Sequence, residues 1–107
     1  MDKPFKVIPN TPNVYKVEFH PHYSVTCSIG KTPFHGIMDI EIMPKNFLLE
    51  FESFEAWLFT LSSQSMTIED LTRLVYDTLK SNLEPKRLRV TVHARTVVHG
   101  DATAIIE

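Results

Sequence analysis

From Arg87 to Arg95 every second residue is apolar: Leu88, Val90, Val92 and Ala94 alternate with Arg87, Arg89, Thr91, His93 and Arg95. Only an extended strand, with its side-chain period of two, sorts residues spaced this way onto opposite faces. The aliphatic face belongs in a core. The other face carries three arginines and a histidine and is too polar to bury unpaired. The segment therefore demands a sheet with one dry face and one wet face. Such a sheet can close around a water-filled tunnel if several copies join edge to edge.

The rest of the chain supplies what covers the dry face. Ile68, Leu71, Val75, Leu79 and Leu83 recur at helical spacing. Thr67 stands where a cap is needed, Asp70 follows three positions on, Met66 precedes the cap as a staple toward Leu71, and Pro85 ends the run. Phe54, Trp57, Leu58 and Leu61 predict a shorter helix over 53–62. Strands are predicted over Val14–Phe19 and Gly36–Met43, with Met38, Ile40 and Ile42 on one face and Asp39 and Glu41 on the other. Residues 20–35 read as a loop, Pro44-Lys45-Asn46 as a turn, and 97–106 as a final strand. The expected fold is α+β in the order ββααββ, a four-stranded antiparallel sheet with both helices on one face. Residues 1–12, with Pro4, Pro9 and Pro12, read as an irregular arm before a single domain over 13–107.

Bulk properties narrow the function classes. A length of 107 residues suits one core, and so short a chain gains from oligomerisation. The net charge of −2 argues against general nucleic-acid binding through a basic surface, while leaving room for a local groove. No apolar run is long enough to span a membrane. The opening residues Met1-Asp2-Lys3-Pro4 have no signal-peptide apolar region, and the single cysteine, Cys27, cannot form an intrachain disulfide. A cytoplasmic protein is expected.

Several segments share the register of one known family. Cys27-Ser28-Ile29-Gly30-Lys31-Thr32-Pro33 resembles the loop that carries the nucleophilic cysteine of the QueF family, tunnelling-fold enzymes that act on the nitrile of 7-cyano-7-deazaguanine. Pro44, Glu50-Phe51-Glu52-Ser53-Phe54-Glu55-Ala56-Trp57, Leu58-Phe59, Ile68-Glu69-Asp70 and Leu83-Glu84-Pro85-Lys86-Arg87 fall on further family motifs, without a gap from Cys27 to about Val92. The resemblance implies a tunnelling fold assembled into an oligomeric barrel, with sites between subunits.

It also implies roles. Cys27 would add to the nitrile carbon and form a thioimide, and Lys31 beside it would favour the thiolate. Glu69 would anchor an amino-pyrimidinone edge, which offers a carboxylate two hydrogen bonds. Glu50 matches the family's glutamate, and His93 would line the tunnel as a substrate contact. The departures are informative. The family's catalytic aspartate falls on Phe34, the histidine beside the anchoring glutamate on Ile68, and the two lysines that help hold NADPH on Glu52 and Glu55. The arginine-glycine-glycine tract of the last hairpin reads Val97-Val98-His99. His35 is the candidate for the lost proton transfer, with Asp39 a weaker substitute.

Two carboxylates in place of two cations repel a phosphate by on the order of 1 kcal/mol each. The departures are therefore similar to those of QueF-like archaeosine synthases, which convert the nitrile to an amidine with ammonia. The expectation is an enzyme of that kind without a cofactor, acting on a 7-deazaguanine that is free or within a nucleic acid. The alternatives are an NADPH-dependent reductase, a non-catalytic purine- or pterin-binding tunnelling-fold protein, and a divergent GTP cyclohydrolase-like enzyme. Pro33-Phe34-His35-Gly36 resembles a segment of GTP cyclohydrolase I, but that family's zinc ligands would fall on Gly30 and Arg95. His20-Pro21-His22 places two imidazoles in one segment without a third ligand, so no metal is expected.

Overall fold

The protein is described by a computed structural model that covers residues 3–96 and 100–107. In chain order its elements are β1 (Val7–Pro9), β2 (Val17–Phe19), β3 (His22–Thr26), β4 (Pro33–Met43), β5 (Phe47–Leu49), α1 (Phe51–Thr60), a short 3-10 turn (Leu61–Ser63), α2 (Ile68–Leu83), β6 (Arg87–Thr96) and β7 (Gly100–Ile106). The main sheet is antiparallel. β4 lies at its centre, β6 and then β7 follow on one side, and β2 and β3 share the other.

The alternating segment behaves as its pattern demands. Leu88, Val90, Val92 and Ala94 are buried with Met38, Ile40 and Ile42 of β4, while Arg87, Arg89, His93 and Arg95 are exposed. Both helices cover the dry face. α2 contributes Leu71, Val75, Leu79 and Leu83, and α1 contributes Phe54 and Leu58. Thr67 caps α2 as its position predicts, its Oγ1 accepting the Asp70 N–H at 3.1 Å. Glu84 closes the helix in the left-handed region at φ 46°, directly before Pro85. The expected ββααββ core of an α+β fold is present, but the main sheet has five strands among the described residues rather than the expected four, because β2 and β3 both pair with β4.

Three boundaries differ from those the sequence suggested. The first strand begins at Val17 rather than Val14, and residues 22–26 of the expected loop form β3. Pro21 is the reason for the division. It has no N–H to give to a ladder, so the edge strand breaks there, and its carbonyl instead accepts the Met38 N–H at 2.9 Å. The second strand starts at Pro33, three residues before Gly36, because Phe34 and Val25 pair across β3 and β4 with both side chains buried.

The third difference lies at the N-terminus. Residues 7–9, expected to be irregular, pair as β1 with β5. Phe5 is buried with its ring 5.4 Å from that of Phe54 and 5.7 Å from that of Trp57. The expectation for Val97-Val98-His99 lies outside the described residues.

Candidate active site

Cys27 follows β3 and opens a tight loop. Its N–H donates to the Thr32 carbonyl at 2.9 Å, and its own carbonyl accepts from the Lys31 N–H at 3.0 Å. Lys31 closes the loop in the left-handed region at φ 58°, a conformation that costs a residue with a side chain roughly 1 kcal/mol. Cys27 is half-buried against the edge of the core, and Lys31 is exposed.

Two backbone links tie this loop to the start of α2. Thr26 bridges to Ser65, and the Thr26 carbonyl accepts the Met66 N–H at 2.9 Å. The next residue is the Thr67 cap, and Glu69 and Asp70 stand exposed in the first helical turn. The thiol loop and the helix-start carboxylate, far apart in sequence, thus lie on adjoining segments.

Other positions have plain structural occupations. Phe34, at the place of the family acid, is buried with its ring 6.0 Å from that of Tyr23. Ile68 is half-buried against the core. Glu50 caps α1 by accepting the Ser53 N–H at 2.7 Å, and hydrogen bonding from Ser53 holds its carboxyl below the ordinary range. Glu52 and Glu55 are exposed on α1.

The wet face of the sheet is a second constellation, ordered in rows by strand register. Glu18, Glu41 and Arg89 align in one row; Asp39, Thr91 and Ile105 in the next; His93 and Thr103 in the third; and Ser24, His35, Arg95 and Asp101 in the fourth. Asp39 Oδ1 lies 2.6 Å from His20 Nδ1, and Asp39 Oδ2 lies 2.6 Å from His93 Nε2. Hydrogen bonding from His93, with a smaller contribution from His20, holds the Asp39 carboxyl below its usual value. A groove of about 730 Å³ runs over this face, lined by His22, His35, Asp39, His93, Arg95 and Thr103 among others. His35 and His93 are therefore brought together. Cys27 and Glu69 stand elsewhere, since Cys27 packs against the core side of the sheet.

Gly36 makes the groove's floor possible. A Cβ there would sit 1.9 Å from the His93 carbonyl oxygen. That oxygen accepts the Tyr23 hydroxyl at 2.7 Å, and burial pushes the Tyr23 phenol above its ordinary value. The partnerships of His20, Tyr23 and Thr103 escape sequence reasoning. Alternation identifies the polar face of each strand, but only cross-strand register pairs Asp39 with His93 and His93 with Thr103. Among the described residues no group of three His, Cys, Asp or Glu side chains is arranged to hold a metal ion.

No family model matches the chain. Individual proteins do. A curated NADPH-dependent 7-cyano-7-deazaguanine reductase from a Nitratiruptor species is 28% identical over 90 residues, covering 82% of this chain and 69% of that protein. Proteins of the same name from Nitratidesulfovibrio vulgaris and Desulfovibrio desulfuricans are 24% and 27% identical over 82 residues. The chain spans about half the length of those two, at 49% and 48%. The crystal structure of an archaeosine synthase QueF-Like in the apo form superposes with a TM-score of 0.72 at 19% identity, over 86% of this chain and 93% of that one. The chain is similar to proteins of the QueF family. Its fold is the QueF-like tunnelling fold. Against the QueF-like pattern, its lone cysteine is half-buried in the loop described above, and a buried phenylalanine stands where the resemblance places an acid.

Proposed function

We propose that this protein acts on the nitrile of 7-cyano-7-deazaguanine or a close relative, with Cys27 as nucleophile and Glu69 as the anchor for the base. The observation that carries the reading is the double link from Thr26 to Ser65 and Met66, which sets the thiol loop against the first turn of α2. The curated relatives are named for work on this nitrile, which supports the substrate class.

The chemistry follows from the groups present. The Cys27 sulfur bonds to the nitrile carbon, one π bond of the nitrile opens, and the nitrogen takes a proton, giving a thioimide. Ammonia then adds to that carbon, and the thiolate leaves as the C–S bond breaks. The product is an amidine, and no electrons are exchanged with a cofactor. His35 projects from the opposite sheet face of its own chain, so in this reading it serves the thioimide nitrogen of an adjacent copy. His93 contacts substrate from that same face.

Amidine formation is preferred to reduction because the exposed carboxylates of Glu52 and Glu55 stand where the family's NADPH-holding lysines fall. The reductase reading is favoured by the relatives' names alone. Intact-mass spectrometry after mixing with 7-cyano-7-deazaguanine tests the proposal. A mass increase equal to the nitrile, absent from Cys27→Ala, is expected. An adduct that persists in Cys27→Ala, or none on the wild-type chain, defeats it. Addition of ammonia should then release amidine, whereas hydride transfer from NADPH would instead establish the reductase reading.

A further inference from the structure

Four side chains cross the wet face from one sheet edge to the other. His20 bonds to Asp39 at 2.6 Å, Asp39 to His93 at 2.6 Å, and His93 Nδ1 lies 3.2 Å from the Thr103 hydroxyl. A carboxylate only accepts, so the imidazole nitrogen facing Asp39 carries the hydrogen. In neutral His93 the hydrogen is then on Nε2, and the Nδ1 lone pair faces Thr103. The hydroxyl must donate to it. An alcohol held on an imidazole lone pair, with the ring's other nitrogen donating to a carboxylate, is the arrangement that makes a weak nucleophile reactive.

This relay lines the 730 Å³ groove, a volume within the range of small-molecule sites. Arg95, in the adjoining row of the same face, brings a cation to the same groove, where its Nε lies 3.5 Å from Asp101 Oδ1. We propose that the groove, whose His93 also contacts substrate in the nitrile reading above, supports a second reaction that needs no Cys27 thiol, in which Thr103 accepts a small acyl group from an activated ester and passes it to water. Thr103 Oγ bonds to the ester carbonyl carbon while its proton moves to His93 Nδ1. The C–O bond to the leaving alcohol breaks, and that alcohol takes the proton from His93. Water then attacks the acyl-threonine, giving its proton to His93. The carboxylic acid departs, and Thr103 Oγ recovers the proton. Arg95 offsets the oxyanion in both steps. Asp39 touches neither ester nor nucleophile and acts as a positioning residue.

The test uses p-nitrophenyl acetate with the full chain carrying Cys27→Ala, which removes the thiol as a competing acetyl acceptor. Peptide mass spectrometry should find acetyl on the peptide containing Thr103. Thr103→Val, a change of equal shape at an exposed position, should abolish both adduct and turnover while leaving the circular dichroism spectrum unchanged. Asp39→Asn should lower kcat by about a hundredfold or more with KM little changed, because His93 loses the carboxylate that sets its tautomer. Absence of acetyl from Thr103, turnover that survives Thr103→Val, or a kcat indifferent to Asp39→Asn overturns the proposal.

Discussion

The Asp39 carboxylate joins β4 to β6 by a 2.6 Å bond to His93, while its second oxygen holds His20 at the break between β2 and β3. One side chain thus ties three strand segments together on the wet face of the sheet. The bond has a pH signature. The folded-state carboxyl titrates below its ordinary value, chiefly through His93, so the unfolded chain binds the proton first. The contribution is full at neutral pH and is lost from about pH 4 downward. Asp39 is 41% exposed, so the effect should stay below about 1 kcal/mol. Urea midpoints measured across the acid range should fall more steeply for the wild type than for Asp39→Asn. Parallel curves would show that the pair contributes nothing.

Gly36 sits where the backbones of β4 and β6 leave no room for a side chain. A methyl group there would lie 1.9 Å from the His93 carbonyl oxygen, which is backbone and has no flexible end to swing away. Gly36→Ala must push β4 from β6 or break the Tyr23–His93 bond. A loss of about 3 kcal/mol is expected by denaturant unfolding. Tyr23→Phe should cost less, about 1 kcal/mol, because only one hydrogen bond goes. Equal stability of Gly36→Ala and wild type would show that the strands separate without strain.

Much of this architecture is legible in the sequence, and the reasons differ by element. α2 announces itself because a cap, an apolar stripe and a terminating proline agree over a long segment. β6 does so because its alternation is unbroken. β3 is hidden because its alternation is short and follows Pro21, which reads as loop when taken alone. β1 is hidden because its pairing partner, β5, lies far along the chain, and prolines flank it. The thiol loop and Glu69 can be selected from family register, yet their adjacency depends on a bridge between Thr26 and Ser65 that no local pattern encodes. The His20–Asp39–His93–Thr103 chain is illegible for the same reason, since it depends on register between strands.

Phe5 offers a direct check on the arm. It is 3% exposed and meets Phe54 and Trp57 edge-on, so it belongs to the core despite the prolines around it. Phe5→Ala removes a buried ring and leaves a cavity that α1 can close only in part. A loss of about 3–4 kcal/mol is expected in the midpoint of thermal or urea unfolding. A loss under about 1 kcal/mol would mean that the arm is docked loosely and contributes little to the core.

The charge on α1 is what the proposal uses to prefer amidine formation over reduction. Glu52 and Glu55 are exposed and three positions apart, so they share a helix face where a dinucleotide phosphate would meet two negative charges. Replacing both with lysine turns that repulsion into attraction, and each exchange is worth on the order of 1 kcal/mol or more near the surface. The double variant Glu52→Lys with Glu55→Lys should therefore bind NADPH at least about tenfold more tightly than the wild type, as read by cofactor fluorescence. Neither residue is buried and Glu50 keeps its capping bond to Ser53, so the fold should tolerate the change. Tight NADPH binding by the wild type, unchanged in the double variant, would mean that the phosphates lie elsewhere and that these carboxylates do not disfavour reduction.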